Sequence, residues 1–191
     1  HHFYPGSYIF SVGTFGCNFS CGFCQNYTIA HYKAKSIYVS PEELEEKCSS
    51  IVGNIGIAFT YNEPSIWYEY VYDTAKFIKE NHKDFKVVLV TNGYIEEEPL
   101  SQLLPYVDAM NIDLKSFRED NYRKVCGGEL KNVLKTIETC YDKCHIEITT
   151  LLVSGMNDSL EEVEDIASFL ASLDKNIPLH LTRYFPNYKF I

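Results

Sequence analysis

Cys17, Cys21 and Cys24 fall within eight residues, in the stretch Gly16-Cys17-Asn18-Phe19-Ser20-Cys21-Gly22-Phe23-Cys24-Gln25-Asn26. The spacing is C-x3-C-x2-C, with the aromatic Phe23 before the last cysteine. Three thiolates on one short loop can grip a metal centre without help from distant sequence. They are one short of the four that normally hold an iron–sulfur cluster or a structural zinc. A cluster iron without a protein ligand is an open coordination site, where chemistry can happen.

The elements that must position this loop alternate between strand and helix. Strands are predicted over 7–14, 55–61, 86–91, 109–114, 145–153 and 179–184, the third a continuous Val-Val-Leu-Val run expected to be buried on both faces. Helices are predicted over 41–52, 65–82, 99–106, 130–141 and 160–173. Ser40 can cap the first, Pro41 fits its first turn, and Leu44, Cys48, Ile51 and Val52 form its apolar face. Ile66, Tyr70, Phe77 and Ile78 do so in the second. In the last, Leu160, Val163, Ile166, Ala167, Leu170 and Leu173 point inward. Strand–helix–strand units take ~30 residues each, so six account for the chain. Regular alternation implies a parallel sheet. A closed eight-unit barrel needs ~250 residues, so a barrel of this length stays open. Pattern alone equally allows a doubly wound sheet. At 191 residues the length fits a single domain.

In parallel α/β folds the functional residues lie in loops leaving the C-terminal strand ends. Here those loops are the cysteine loop, Thr60-Tyr61-Asn62-Glu63-Pro64, Thr91-Asn92-Gly93-Tyr94, Asp113-Leu114-Lys115-Ser116 and Ser154-Gly155-Met156-Asn157-Asp158, with Thr182-Arg183-Tyr184 on the last strand. Polar tips on one rim of an apolar sheet are hard to explain as packing.

The cysteine motif resembles the signature of the radical S-adenosylmethionine (radical SAM) enzymes. The resemblance implies a partial, open parallel (β/α)6 barrel of the α/β class. It implies that Cys17, Cys21 and Cys24 bind a [4Fe-4S] cluster whose remaining iron is chelated by S-adenosylmethionine (SAM). One electron from that cluster would cleave SAM to methionine and a 5′-deoxyadenosyl radical, which abstracts hydrogen from substrate. Further segments, among them His2-Phe3-Tyr4-Pro5-Gly6-Ser7, Cys24-Gln25-Asn26 and His180-Leu181-Thr182-Arg183-Tyr184-Phe185-Pro186, are similar to the AmmeMemoRadiSam-system radical SAM proteins, also labelled pyruvate formate-lyase-activating-enzyme homologues. Such proteins are usually longer at both ends, so the resemblance implies a core fragment.

Roles follow from what SAM needs. Its ammonium needs acceptors. Tyr61, Asn62 and Glu63 stand where the family has Gly-Gly-Glu-Pro, with the two glycines replaced; capping of a helix start by Asn62 or Glu63 is the alternative. Its carboxylate needs a cation, and Asp113-Leu114-Lys115 resembles the activases' Asp-Leu-Lys motif. A salt bridge from Lys115 to Asp113 or Glu119 is the alternative. Asn92 matches part of the ribose-binding Asp-Thr-Asn-Gly, with Val90 in place of the aspartate; a tight turn at Asn92-Gly93 is the alternative. The adenine is expected against the end of strand five and the loop through Gly155. Arg183 could bind an anionic substrate or the SAM carboxylate, or be a buried ion-pair partner. Cys126 could reach substrate, or simply fill core. Cys48, and the Cys140/Cys144 pair before His145, read as core. His31 could complete a Cys3His zinc site.

Bulk properties narrow the partners. The net charge is −9, which disfavours generic nucleic-acid binding. No apolar run approaches the ~18 residues of a membrane span, and His1-His2-Phe3-Tyr4-Pro5-Gly6 has no secretory signature. Seven cysteines without such a signature point to a reducing, cytoplasmic setting. The expected partners are a protein or small-molecule substrate and a low-potential electron donor such as flavodoxin or ferredoxin. A non-enzymatic iron–sulfur electron carrier and a structural zinc domain are the competing readings.

Overall fold

Runs of Val, Ile and Leu between polar turns suit a pleated, buried surface. They form β1 (Tyr8–Val12), β2 (Asn54–Phe59), β3 (Lys86–Thr91), β4 (Ala109–Asp113), β5 (His145–Leu152) and β6 (Leu179–Arg183). The structure is a computed structural model and describes residues 2–190. Every neighbouring strand pair is parallel. The strands lie side by side in chain order, β1-β2-β3-β4-β5-β6. Sequential order means that each crossover winds the same way. A doubly wound sheet would reverse direction, so that alternative is excluded. The sheet is an open arc with β1 and β6 at its edges, as expected for a partial barrel.

The helices are α1 (Tyr27–Ala30), α2 (Pro41–Ser50), α3 (Tyr68–Asn81), α4 (Glu97–Leu103), α5 (Glu119–Asn121), α6 (Leu130–Cys140) and α7 (Leu160–Leu173). Local chemistry explains the longer ones. α2 opens with a full capping box between Ser40 and Glu43, and Pro41 takes its first turn. α6 buries Leu130, Val133, Ile137 and Cys140, a three- and four-residue spacing that makes one face. Ser159 caps α7 by accepting the Glu162 N–H.

The outer faces of the strands carry the core. Ile57, Phe59, Val87, Leu89, Met110, Ile112, Ile146 and Ile148 form one apolar cluster with Val71, Ala75, Ile78, Val133, Ile137, Ile166 and Leu170 of the helices. The inner face is more open, and this corrects one expectation. Val87 and Leu89 are buried, but Val88 and Val90 are only half-buried. β3 therefore has one fully packed face, and its other face looks into the arc.

Three helix faces also differ from expectation. α2 stops at Ser50, and Ile51 is already extended, so Ile51 and Val52 turn out to solvent. Residues 64–67 form a tighter 3-10 turn, which leaves Ile66 exposed. In α7 the inward row is Glu162, Ile166 and Leu170, while Leu160 and Ala167 are exposed. Glu162 takes the place expected of Leu160 because its carboxylate has partners there, the Ser116 hydroxyl and the Phe117 N–H. The short helices α1 and α5 and a π turn at Tyr122–Cys126 were not expected, being too short to show a period.

Candidate active site

The cysteine loop leaves β1 and is fastened at several points. Gly16 N–H donates to Ile29 O at 2.8 Å, and Ser20 N–H donates to Cys126 O at 2.7 Å. Phe19 and Phe23 are buried, so the two aromatic rings anchor the loop. Phe19 packs against Tyr94 and Tyr122 at 5.0 and 5.9 Å between ring centres. Between these anchors Cys17, Cys21 and Cys24 line a cleft of about 260 Å³. Burial pushes the Cys17 thiol up to about 11, against the Phe19 N–H that points at its sulfur from 3.3 Å. Burial likewise raises Cys24, against a backbone hydrogen bond at Asn26.

The β2 tip forms the next wall. Tyr61 has φ +72°, a left-handed conformation that favours glycine. Its carbonyl accepts Asn26 Nδ2 at 3.0 Å. The Asn62 side chain points back into the cysteine loop. It accepts the Thr14 N–H at 2.8 Å and donates to Gly16 O at 3.4 Å. Glu63 is buried. Its Oε1 accepts Ser65 N–H at 3.0 Å and the Thr91 hydroxyl at 2.7 Å, and its Oε2 accepts Asn92 N–H at 2.8 Å. Glu63 therefore does cap the 3-10 turn, and it also joins the ends of β2 and β3. Burial raises its carboxyl above the usual range, and the Asn92, Thr91 and Ser65 hydrogen bonds oppose the rise.

Asn92 is committed on both ends of its amide. Nδ2 donates to Asn18 Oδ1 at 2.7 Å and faces Cys17 Sγ at 3.6 Å, while Oδ1 accepts Tyr94 N–H at 2.8 Å. Opposite it, Lys115 Nζ pairs with Asp113 Oδ2 at 2.6 Å. Burial disfavours the ammonium, but Asp113 and the nearby Cys21 outweigh it and raise the lysine above its ordinary value. The Lys115 backbone is clamped on both sides. Its N–H donates to the Tyr122 hydroxyl at 3.0 Å, and its carbonyl accepts Asn157 Nδ2 at 2.7 Å.

All three cysteines, with Tyr61, Asn62, Glu63, Asn92, Asp113 and Lys115, line this one cleft. Cys126 and Arg183 do not. Cys126 is fully buried, and its carbonyl accepts the Ser20 N–H, so it packs behind the loop and does not line the cleft. Arg183 is exposed and lies over the Phe185 ring at 5.7 Å, so it is neither buried nor in the cleft. Strand alternation explains this, because its neighbour Thr182 takes the inward position. The end of β5 reaches the cleft through Thr149 and Leu151, whereas Gly155 is not part of its lining.

His31 also lines the cleft, and its Nε2 is buried without a hydrogen-bond partner among the described residues. Asn18 and Asn26 belong to the site as well. Their signal in the sequence was adjacency to the cysteines, which does not by itself distinguish a clamp from a spacer.

Comparison with known proteins agrees with this fold. The profile of the radical SAM superfamily matches residues 11–170. An uncharacterized protein of Methanocaldococcus jannaschii is 41% identical over 98% of the chain. A second protein of that organism, provisionally named a glycyl-radical enzyme activating enzyme, is 28% identical over 90% of it. The chain spans only 56% and 65% of those two relatives. Streptococcus suis SuiB, in a crystal structure with S-adenosylmethionine bound, superposes on 97% of the chain and 43% of its own, with a TM-score of 0.73 at 15% identity. That likeness shows the fold. The chain belongs to the radical SAM superfamily, whose cofactors are a [4Fe-4S] cluster and S-adenosylmethionine.

Proposed function

We propose that the cleft holds the [4Fe-4S] cluster on Cys17, Cys21 and Cys24 and binds SAM against the tips of β2, β3 and β4. One observation carries this: the three thiols share a single cleft with Lys115 and with the β2 and β3 tips. The donor set fits. Three cysteines leave one iron for SAM, and the Phe19 and Asn92 N–H groups near Cys17 Sγ suit a thiolate ligand. His31 Nε2, buried and unpartnered at the cleft wall, suits a bound polar ligand. A plain electron carrier has no use for such a wall.

When bound, the cluster supplies one electron for reductive cleavage of SAM and so a radical able to abstract hydrogen. The chain's own residues bind and orient. An ionised carboxylate offers about four acceptor sites, and three on Glu63 are taken by Ser65, Thr91 and Asn92. The remaining one, on Oε2, can accept from the SAM ammonium. Lys115 has three donors and gives one to Asp113, so two stay available for the SAM carboxylate. Asn62 and Asn92 act mainly by holding the cysteine loop in place, since their amides are already committed to it. Leu151 offers an apolar surface for the adenine.

The activating-enzyme name of one relative supports a backbone glycine of a partner protein as the hydrogen donor. A low-potential carrier such as flavodoxin or ferredoxin is the proposed source of the electron. The seven cysteines are free thiols, which fits the cytoplasm. No helix among the described residues is long and apolar enough to cross a membrane. Anaerobic reconstitution, reduction with dithionite and addition of SAM tests the reading. It predicts 5′-deoxyadenosine from the native protein and none from Cys24→Ala. Equal product from both, or none from either, contradicts it.

A further inference from the structure

A second cluster of ligand-type side chains sits on the inward face of the sheet, below the cleft. Glu147 of β5 and His180 of β6 each precede a cleft-lining threonine, Thr149 and Thr182, by two residues. Period-two alternation puts them on the same inward face, roughly 7 Å further from the cysteine rim. Glu147 is 3% exposed. Its Oε2 lies 2.6 Å from His180 Nε2 and 3.9 Å from His2 Nδ1. Its Oε1 lies 3.1 Å from His145 Nε2 and accepts the backbone N–H groups of His2 and Phe3 at 2.8 and 3.0 Å. The His2 and His180 rings stack at 5.5 Å between centres. One ligand atom from each of His2, Glu147 and His180 falls within 4.8 Å of the other two.

We propose that His2, Glu147 and His180 form a site for a divalent transition cation of the zinc class, which ties the N-terminal segment across the base of the barrel. Two imidazoles and a carboxylate are a normal three-ligand set for such an ion, with a fourth position open. Ligand bonds of about 2.0–2.2 Å in tetrahedral geometry put ligand atoms roughly 3.3 Å apart. The Glu147–His180 contact must open and the Glu147–His2 contact must close, each by under about 1 Å, and the two imidazole nitrogens must close from at most 4.8 Å, which side-chain rotations of the exposed His2 supply. His145, on the other carboxylate oxygen, orients the ligand. Nitrogen and oxygen donors here, against sulfur at the other rim, keep the two metal sites chemically distinct.

The test uses cluster-loaded protein, so that the cleft thiols are occupied, dialysed against Zn(II) and read by metal analysis and zinc X-ray absorption. The expected result is one zinc per chain beyond the iron. Its shell should hold nitrogen and oxygen at about 2.0–2.1 Å and no sulfur at about 2.3 Å. His180→Ala and His2→Ala should each weaken zinc binding about tenfold or more, with iron content unchanged. The His2 side chain is 65% exposed, so its loss leaves the core intact and keeps the test valid if His180→Ala fails to fold. Absence of stoichiometric zinc, sulfur in its shell, or undiminished binding by His2→Ala overturns the proposal and leaves a hydrogen-bonded network only.

Discussion

Glu63 Oε2 accepts the backbone N–H of Asn92 at 2.8 Å, and this contact joins the ends of β2 and β3 directly behind Cys17. The same carboxylate takes the Thr91 hydroxyl and the Ser65 N–H on its other oxygen. Glu63→Gln puts an NH2 group where an acceptor is needed, since Oε1 already has two donors. A buried donor left facing a donor costs about 1–3 kcal/mol. The melting temperature should fall by several degrees, and SAM affinity should drop about tenfold or more in an equilibrium titration. A Gln variant that melts and binds like the native protein would show that the carboxylate is a bystander.

Tyr61 holds φ +72°, where the resembled motif has glycine. A left-handed non-glycine residue stores roughly 1–2 kcal/mol. Tyr61 is 57% exposed, so little packing is lost on truncation. Tyr61→Gly is therefore expected to melt no lower than the native chain, and Tyr61→Val to melt several degrees lower, because a β-branched side chain tolerates that φ worst. Scanning calorimetry of the pair decides; the reverse order would contradict the strain.

Lys115 is pinned by Tyr122 and Asn157 through its backbone, which leaves its ammonium aimed into the cleft beside Asp113. Lys115→Met keeps the length and removes the charge. A charged hydrogen bond is worth about 1.5–3 kcal/mol, so SAM should bind roughly 10- to 100-fold more weakly while the iron content stays the same. Lys115→Arg should not restore affinity, because a planar fork does not replace a point charge. Loss of iron together with SAM would show instead that Lys115 supports the loop.

Cys48 is fully buried on α2, and burial, aided by Glu45, pushes its thiol from 9.0 up to about 11. Only the thiolate alkylates, and it forms only as pH rises toward that value. At pH 8 a rise of two units cuts the thiolate fraction about 100-fold. Iodoacetamide should therefore modify Cys48 at least that much more slowly in the native protein than in the urea-unfolded chain. Equal rates by peptide mass mapping would contradict its burial.

The succession of strands and longer helices was legible because local periods and caps mark them, as in the Ser40–Glu43 box, whereas the order of the strands in the sheet was not, because the same pattern also suits a doubly wound sheet. Cys17, Cys21 and Cys24 were legible because local spacing fixes their grouping. What the side chains at the other tips do was not. Asn62 and Asn92 look like ligand residues in sequence, yet their amides bond to Thr14, Gly16 and Asn18, partners more than forty positions away. Arg183 stood out as a charge in an apolar strand, but which face it took depended on register with β5. The partnership of Glu147 with His145, His180 and the N-terminal segment is likewise tertiary, formed between segments that alternation alone does not bring together.

The most direct test is the electron paramagnetic resonance spectrum of the reduced, reconstituted protein recorded with and without SAM. Cluster ligation by Cys17, Cys21 and Cys24, with one iron open to the cleft, predicts a [4Fe-4S] signal whose shape changes when SAM binds. It also predicts no signal in Cys21→Ala. A cluster signal that SAM leaves untouched, in protein shown to be fully loaded with iron, would contradict the open iron site.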